Sequence, residues 1–228
     1  CVLPLIMAQR RILHDEYFKR AKAEGYLARS AYKLLEIQER HRILRAGLRV
    51  VDLGCAPGGW LQVASELVGP RGIVVGIDLQ EVRASIAPNV RTLVGDIFTT
   101  DATALLPGAD ARFDVVLSDM APSTSGHGDD LLSVRLCRRV LELLPSLLGP
   151  GGSCAMKVLE GDGYPALLRD CGRLFIKAKG LKPKATREVS REIFLVCEGF
   201  RPPPAGNPKA PPKGVAPAAP RPGTGWSA

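Results

Sequence analysis

The sequence predicts a doubly wound α/β fold, with a mostly parallel sheet, one antiparallel strand and helices on both faces. Three observations carry that prediction. Short apolar runs alternate with helical patterns, a glycine-rich turn follows the first of these runs, and only a short loop separates the last two.

The runs Leu48 to Leu53, Ile73 to Ile77, Val90 to Val94, Phe113 to Ser118, Ser153 to Val158, Phe175 to Lys179 and Ile193 to Cys197 read as strands. Helices are expected at about His14 to Lys22, Arg29 to Gln38, Gly59 to Leu67, Asp130 to Leu148 and Tyr164 to Arg173. Strands separated by helices pair in parallel. The loop from Gly180 to Arg191 is too short for a helical crossover, so the strands it joins should run antiparallel.

The 228 residues suit one such domain, expected over residues 10–200. Residues 1–9 are expected to stand outside it. Residues 201–228 are rich in Pro, Gly and Ala, carry basic residues but no acid, and should form a disordered tail. The net charge of +8 suits a polyanionic partner, because clustered Lys and Arg displace counterions from phosphates. The six cysteines are dispersed, with no CxxC pair, so neither a zinc site nor a disulfide framework is expected. No apolar run is long enough for a membrane span, and the opening CVLPLIM is short and lacks a preceding basic region. These features point to a cytoplasmic protein, with nothing that demands more than a monomer.

The segment VVDLGCAPGGW, Val50 to Trp60, joins the first strand to a helix. In doubly wound sheets ligands bind at the carboxyl ends of strands near the switch in strand order. Gly54, Gly58 and Gly59 allow a sharp turn and close approach of a ligand, and Trp60 adds an apolar surface beside it. The GxGxxG spacing of a dinucleotide site is missing. Asp52 precedes the glycines, Asp78 ends the second strand and Asp96 follows the third. An acid at a strand end is often only a turn former. Three in succession suit a cofactor with a positive charge, ribose hydroxyls and an adenine edge, which points to S-adenosylmethionine over a nicotinamide.

RSAYKL (Arg29 to Leu34), DLGCAPGGW, SDMAPSTSG (Ser118 to Gly126), GPGGS with MKVLEG (Gly149 to Gly161) and SREIFLV (Ser190 to Val196) resemble, in order, the motifs of the FtsJ family. The resemblance runs from about residue 14 to residue 200. It implies a Rossmann-like, S-adenosylmethionine-dependent methyltransferase fold acting on ribose 2′-hydroxyls of RNA. The basic opening HDEYFKRAKAEGYLARSAYKL is most similar to the bacterial branch that methylates a uridine of large-subunit ribosomal RNA. Cys55 stands where a small Ala is common, and Phe194 where Tyr is frequent. Transfer RNA methylation, and a catalytically inactive RNA-binding assembly factor on the same fold, are the competing readings.

Residue chemistry alone singles out Asp119 and Lys157, an acid and a lysine at the ends of apolar strands. The resemblance adds Lys33 and Glu192, completing a Lys-Asp-Lys-Glu tetrad. It implies that Lys157 acts as general base towards the 2′-hydroxyl, that Asp119 orients it and shares in cofactor binding, and that Glu192 steadies Lys33 or the ribose. Gly58, Trp60, Asp78 and Asp96 are the other expected cofactor contacts, and no metal is expected. Two basic segments, residues 10–49 and 173–191, flank this fold; they include Lys19, Arg20, Lys22, Arg29, Lys177, Lys179, Lys182, Lys184 and Arg187. Packed beside the site they would form a track for RNA phosphates.

Overall fold

A computed structural model describes residues 16–108, 111–122, 128–186 and 190–203. Residues 1–9, the start of the helix expected from His14, Arg187 and the tail from residue 204 lie outside that set. The described chain runs α1 (residues 16–24), α2 (Ala31–His41), β1 (Arg49–Leu53), α3 (Gly59–Val68), β2 (Ile73–Asp78), β3 (Val90–Val94), β4 (Phe113–Ser118), α4 (Asp129–Leu147), β5 (Leu148–Leu159), α5 (Tyr164–Leu174), β6 (Phe175–Leu181) and β7 (Glu192–Phe200). No helix among the described residues is long and apolar enough to cross a membrane.

The strands form one sheet in the order β3-β2-β1-β4-β5-β7-β6. β1 pairs parallel with both β2 and β4, and β4 with β5. β7 runs antiparallel to β5 on one side and β6 on the other. The reversed strand expected from the short last loop is thus β7, and it is inserted into the sheet while β6 takes the edge. β5 also starts earlier than the apolar run Ser153 to Val158 suggests. Leu148 pairs with Phe113, after which the register shifts so that Ser153 pairs with Val115. The glycines of GPGG give no apolar signal, yet their backbone continues the ladder.

Side-chain alternation along the strands splits the core into two layers. Cys154, Met156 and Val158 of β5 and Leu195 and Cys197 of β7 face α4 and α5. Ala155 of β5 and Phe194 and Val196 of β7 face α2 and α3, with Leu34, Ile37, Trp60 and Leu61. Lys157 shares its parity with Ala155, and Glu192 with Phe194. Both therefore point to the α2 side, where Lys33 is. Chain order turns at β1, from which successive strands go out to β3 and then return to β4 on the other side. The carboxyl ends of β1 and β4 are accordingly the place where this topology opens a crevice.

Candidate active site

The glycine-rich turn occupies that crevice. Gly54 has φ +83° and Gly58 φ +116°, both in the left-handed region that glycine tolerates. A Cβ on Gly54 would run into the Met120 side chain, and one on Gly58 would come within 2.9 Å of Leu27 and 3.0 Å of Ile86. The turn is tied to the end of β2: Gly54 and Cys55 N–H donate to the Ile77 carbonyl at 2.8 and 3.2 Å. The Ala56 N–H donates to Asp78 Oδ2 at 3.0 Å, and the Gln80 N–H to Asp78 Oδ1 at 2.8 Å. Asp96 Oδ1 accepts from the Phe98 N–H at 2.9 Å. Both acids serve as turn formers, and both stay partly exposed at the carboxyl edge of the sheet.

Trp60, expected to add an apolar surface beside the turn, lies beneath it. It is 2% exposed, its Nε1–H donates to the Ser30 carbonyl at 2.8 Å, and its ring lies 5.6 Å from Phe194. A large ring with one polar N–H gains most by burying the ring and satisfying the donor, and the start of α2 offers both. Trp60 thus binds the glycine-rich turn to the helix that carries Lys33. Cys55 is a buried packing residue, and burial pushes its thiol well up.

Asp52, the acid that precedes the glycines of the turn, is set apart by its burial. It is 0% exposed, and neither carboxylate oxygen has a hydrogen-bond partner among the described residues. Burial, followed by the charges of Asp119 and Asp78, pushes its carboxyl up to about 8. A pyrophosphate brought beside the charges of Asp119 and Asp78 would be repelled. A ligand bearing positive charge, with hydroxyls to donate to Asp78, fits them. S-adenosylmethionine has both features.

The four tetrad residues come together. Lys157, 8% exposed, reaches Asp119 Oδ1 at 2.9 Å and donates to the Asp119 carbonyl at 2.6 Å. Its own carbonyl accepts from the Cys137 thiol at 3.0 Å, which pins the strand from the opposite face. Glu192 Oε1 is 3.9 Å from Lys157 Nζ, and Glu192 Oε2 accepts from Lys33 Nζ at 2.8 Å. Lys33 is 5% exposed and lies 5.7 Å over the Phe194 ring. Register explains the meeting: Ser118 pairs with Met156, Lys157 with Phe194, and Leu159 with Glu192. Asp119 and Lys157 thus leave neighbouring strands at one height, and Glu192 enters from the antiparallel strand beside them. Burial raises the Glu192 carboxyl, but Lys33, Lys157 and Ser190 together outweigh it and hold the group below its ordinary value. Glu192 therefore stands as a carboxylate between two lysines. No group of residues that could hold a metal ion occurs among the described residues.

The basic segments converge as well. Ala21 of α1, Tyr32 of α2 and Ala185 of the β6–β7 connection form one buried cluster, joined by Tyr17 and Tyr26. The Tyr32 hydroxyl donates to Glu24 at 2.9 Å, Arg20 donates to the same carboxylate at 2.7 Å, and the Arg20 guanidinium lies 4.7 Å over the Tyr32 ring. Lys19, Arg20 and Lys22 stay exposed on α1, as do Lys182 and Lys184 on the connection. Lys177 and Lys179 are exposed along the edge strand β6.

A family model described as FtsJ-like methyltransferase matches residues 26–200. The chain is 46% identical over 186 residues to ribosomal RNA large subunit methyltransferase E of Syntrophobacter fumaroxidans, covering 81% of this chain and 94% of that protein. It is 43% identical over 189 residues to the protein of the same name from Desulfatibacillum aliphaticivorans, covering 82% and 91%. Among solved structures, a ribosomal RNA methyltransferase from Plasmodium falciparum superposes with a TM-score of 0.66 at 28% identity, over 77% of this chain and 98% of that one. The methyl donor of such enzymes is S-adenosylmethionine, in keeping with the acidic crevice. The chain belongs to the FtsJ-like methyltransferase family.

Proposed function

We propose that this chain transfers a methyl group from S-adenosylmethionine to a ribose 2′-hydroxyl of large-subunit ribosomal RNA, at a uridine, with Lys157 as general base. The observation that carries the reading is the grip of Asp119 on Lys157 beside the cofactor turn. In its deprotonated form the lysine amine has two N–H donors and one lone pair. The Asp119 carbonyl takes one donor at 2.6 Å, and the Asp119 carboxylate lies 2.9 Å from the same nitrogen. With the amine so anchored, its lone pair is available to the substrate.

S-adenosylmethionine, when bound, supplies a methyl carbon on a positively charged sulfur that leaves as a thioether. Lys157 accepts the hydroxyl proton as the oxygen bonds to that carbon and the carbon–sulfur pair returns to sulfur. Asp119 puts negative charge at the end of the crevice that receives the cationic donor. Glu192 keeps Lys33 in place over Phe194 and balances both lysines. The Gly54–Gly58 turn and the acids Asp78 and Asp96 would hold the donor and so orient its methyl group towards the hydroxyl. The exposed bases of α1 and the β6–β7 connection lie against the same α2 helix and suit an RNA backbone. The relatives' names support ribosomal RNA as substrate, and a ribosomal target places the work in the cytoplasm. One complete tetrad within one chain is consistent with action as a monomer over the domain 10–200.

The test offers labelled S-adenosylmethionine with undermethylated large ribosomal subunits, free ribosomal RNA and transfer RNA side by side. Label on a ribose of large-subunit RNA supports the reading. Label on transfer RNA alone would overturn the substrate. Cofactor binding with no transfer to any RNA would favour an inactive binding factor.

A further inference from the structure

We propose that Glu36 is a positioning residue that latches the basic β6–β7 connection onto α2 and so sets how firmly RNA is held beside the tetrad. This rests on the reading of the chain as an RNA methyltransferase. Glu36 Oε1 accepts from the Lys184 N–H at 2.9 Å, and Oε2 from the Ala185 N–H at 3.0 Å. A single carboxylate thus takes two successive backbone donors from a segment that lies 148 positions further along the chain. Arg40 sits 3.7 Å from Oε1, and the Glu36 side chain is only 17% exposed.

The latched segment has a definite inside and outside. Pro183, Ala185 and Thr186 are buried, whereas Lys182 and Lys184 are exposed. The Thr186 N–H donates to the Pro183 carbonyl at 3.0 Å, closing a turn around the latched pair. Ala185 packs with Ala21 of α1 and Tyr32 of α2, so the latch also sets the connection against the basic N-terminal helix. Glu36 follows Lys33 by about one helical turn. Lys33 grips Glu192 at the far end of the same connection, at 2.8 Å. One helix therefore holds the start of the connection through Glu36 and its end through Lys33. Without the Glu36 carboxylate, two N–H groups lose their acceptor and Lys182 and Lys184 lose their fixed direction, so phosphate binding must order them first.

The experiment measures methyl transfer by the full chain to undermethylated large ribosomal subunits, for wild type, Glu36→Ala and Glu36→Gln, with cofactor affinity followed by calorimetry. Glu36→Ala is expected to raise KM for the subunits about tenfold, with kcat changed less than about threefold and cofactor Kd unchanged. Glu36→Gln keeps one carbonyl acceptor and is expected to recover part of that loss. An unchanged KM in Glu36→Ala, with wild type active, overturns the latch alone. Loss of cofactor affinity in parallel with activity, with no recovery in Glu36→Gln, also overturns it, because the residue then merely supports the fold. Should Glu36→Ala fail to fold, the KM of Glu36→Gln decides: a rise of a few-fold supports the latch and wild-type KM overturns it. A wild type that binds cofactor but transfers to no RNA overturns the proposed function and this inference together.

Discussion

Strands β5 and β7 carry two buried clusters of ionisable side chains on their opposite faces. On the α2 face lie Lys157 and Glu192, joined to Asp119 and Lys33 by contacts of 2.8 to 3.9 Å. On the α4–α5 face Cys154 and Cys197 are direct cross-strand partners, with Cys137 and Cys171 packed onto them. Strand parity separates the two, Lys157 standing three residues after Cys154 and Glu192 five before Cys197. Lys157 and Glu192 lie 3.9 Å apart at the sheet's carboxyl end, where Glu192 remains 20% exposed along its side chain. The four cysteines are at most 2% exposed. Burial raises the Cys137 and Cys154 thiols, and a hydrogen bond to Cys171, followed by burial, raises that of Cys197. Protonated thiols without access are poor nucleophiles and poor metal ligands, so this cluster packs as small hydrophobes. A buried group does chemistry where opposite charge sustains it and the crevice reaches it. Where neither holds, it is core.

Substitutions on the two faces should break along that line. The largest effect is expected for Asp119→Ala, which removes the partner of Lys157 and a carboxylate of the crevice. Its transfer rate should fall by about 10³-fold, with weaker cofactor binding, in single-turnover assays. Lys33→Met and Glu192→Gln should each cost about 10- to 100-fold, and the double variant should cost no more than the worse single one, because they act as a pair. Equal, additive losses would show that they act separately.

Asp52 sharpens the contrast, being a buried acid without a partner. Its folded-state value is raised, so between about pH 4 and 8 the folded chain keeps a proton that the unfolded chain releases. That contribution to stability is complete below the unfolded value and is lost as pH rises through the folded one. Asp52→Asn should raise the Tm of the free protein by about 5 °C at pH 9 and change it little at pH 4, while weakening cofactor binding. A Tm gain confined to acid pH would contradict the assignment. The smallest effect is expected on the thiol face. Cys171→Ala should cost about 1 kcal/mol in denaturant unfolding and leave transfer within twofold of wild type.

Much of this was legible in the chain. β3 and β4 coincide with their apolar runs, and the length of the final connection foretold the antiparallel pairing. Lys157 and Asp119 announced themselves as ionisable residues ending apolar strands. Lys33 and Glu192 did not, since a lysine on a helix and an acid at a strand edge are ordinary surface residues until the fold closes on them. Family likeness named them, and strand parity explains them. The insertion of β7 between β5 and β6 depends on three-dimensional packing that loop length does not encode. Trp60 turned inward because Ser30, 30 residues away, offers its carbonyl. That Asp52 has no hydrogen-bond partner among the described residues, and that four cysteines cluster, was not legible for the same reason. What defines each is the absence or the nature of neighbours brought from distant segments.

Lys157→Ala tests the central claim most directly, in a single-turnover reaction with labelled S-adenosylmethionine and undermethylated large ribosomal subunits, read as ribose-methylated nucleoside. A general-base role for Lys157 requires cofactor affinity near that of wild type and a transfer rate reduced by at least about 100-fold. A rate within threefold of wild type would mean that the lysine held by Asp119 does not take the proton.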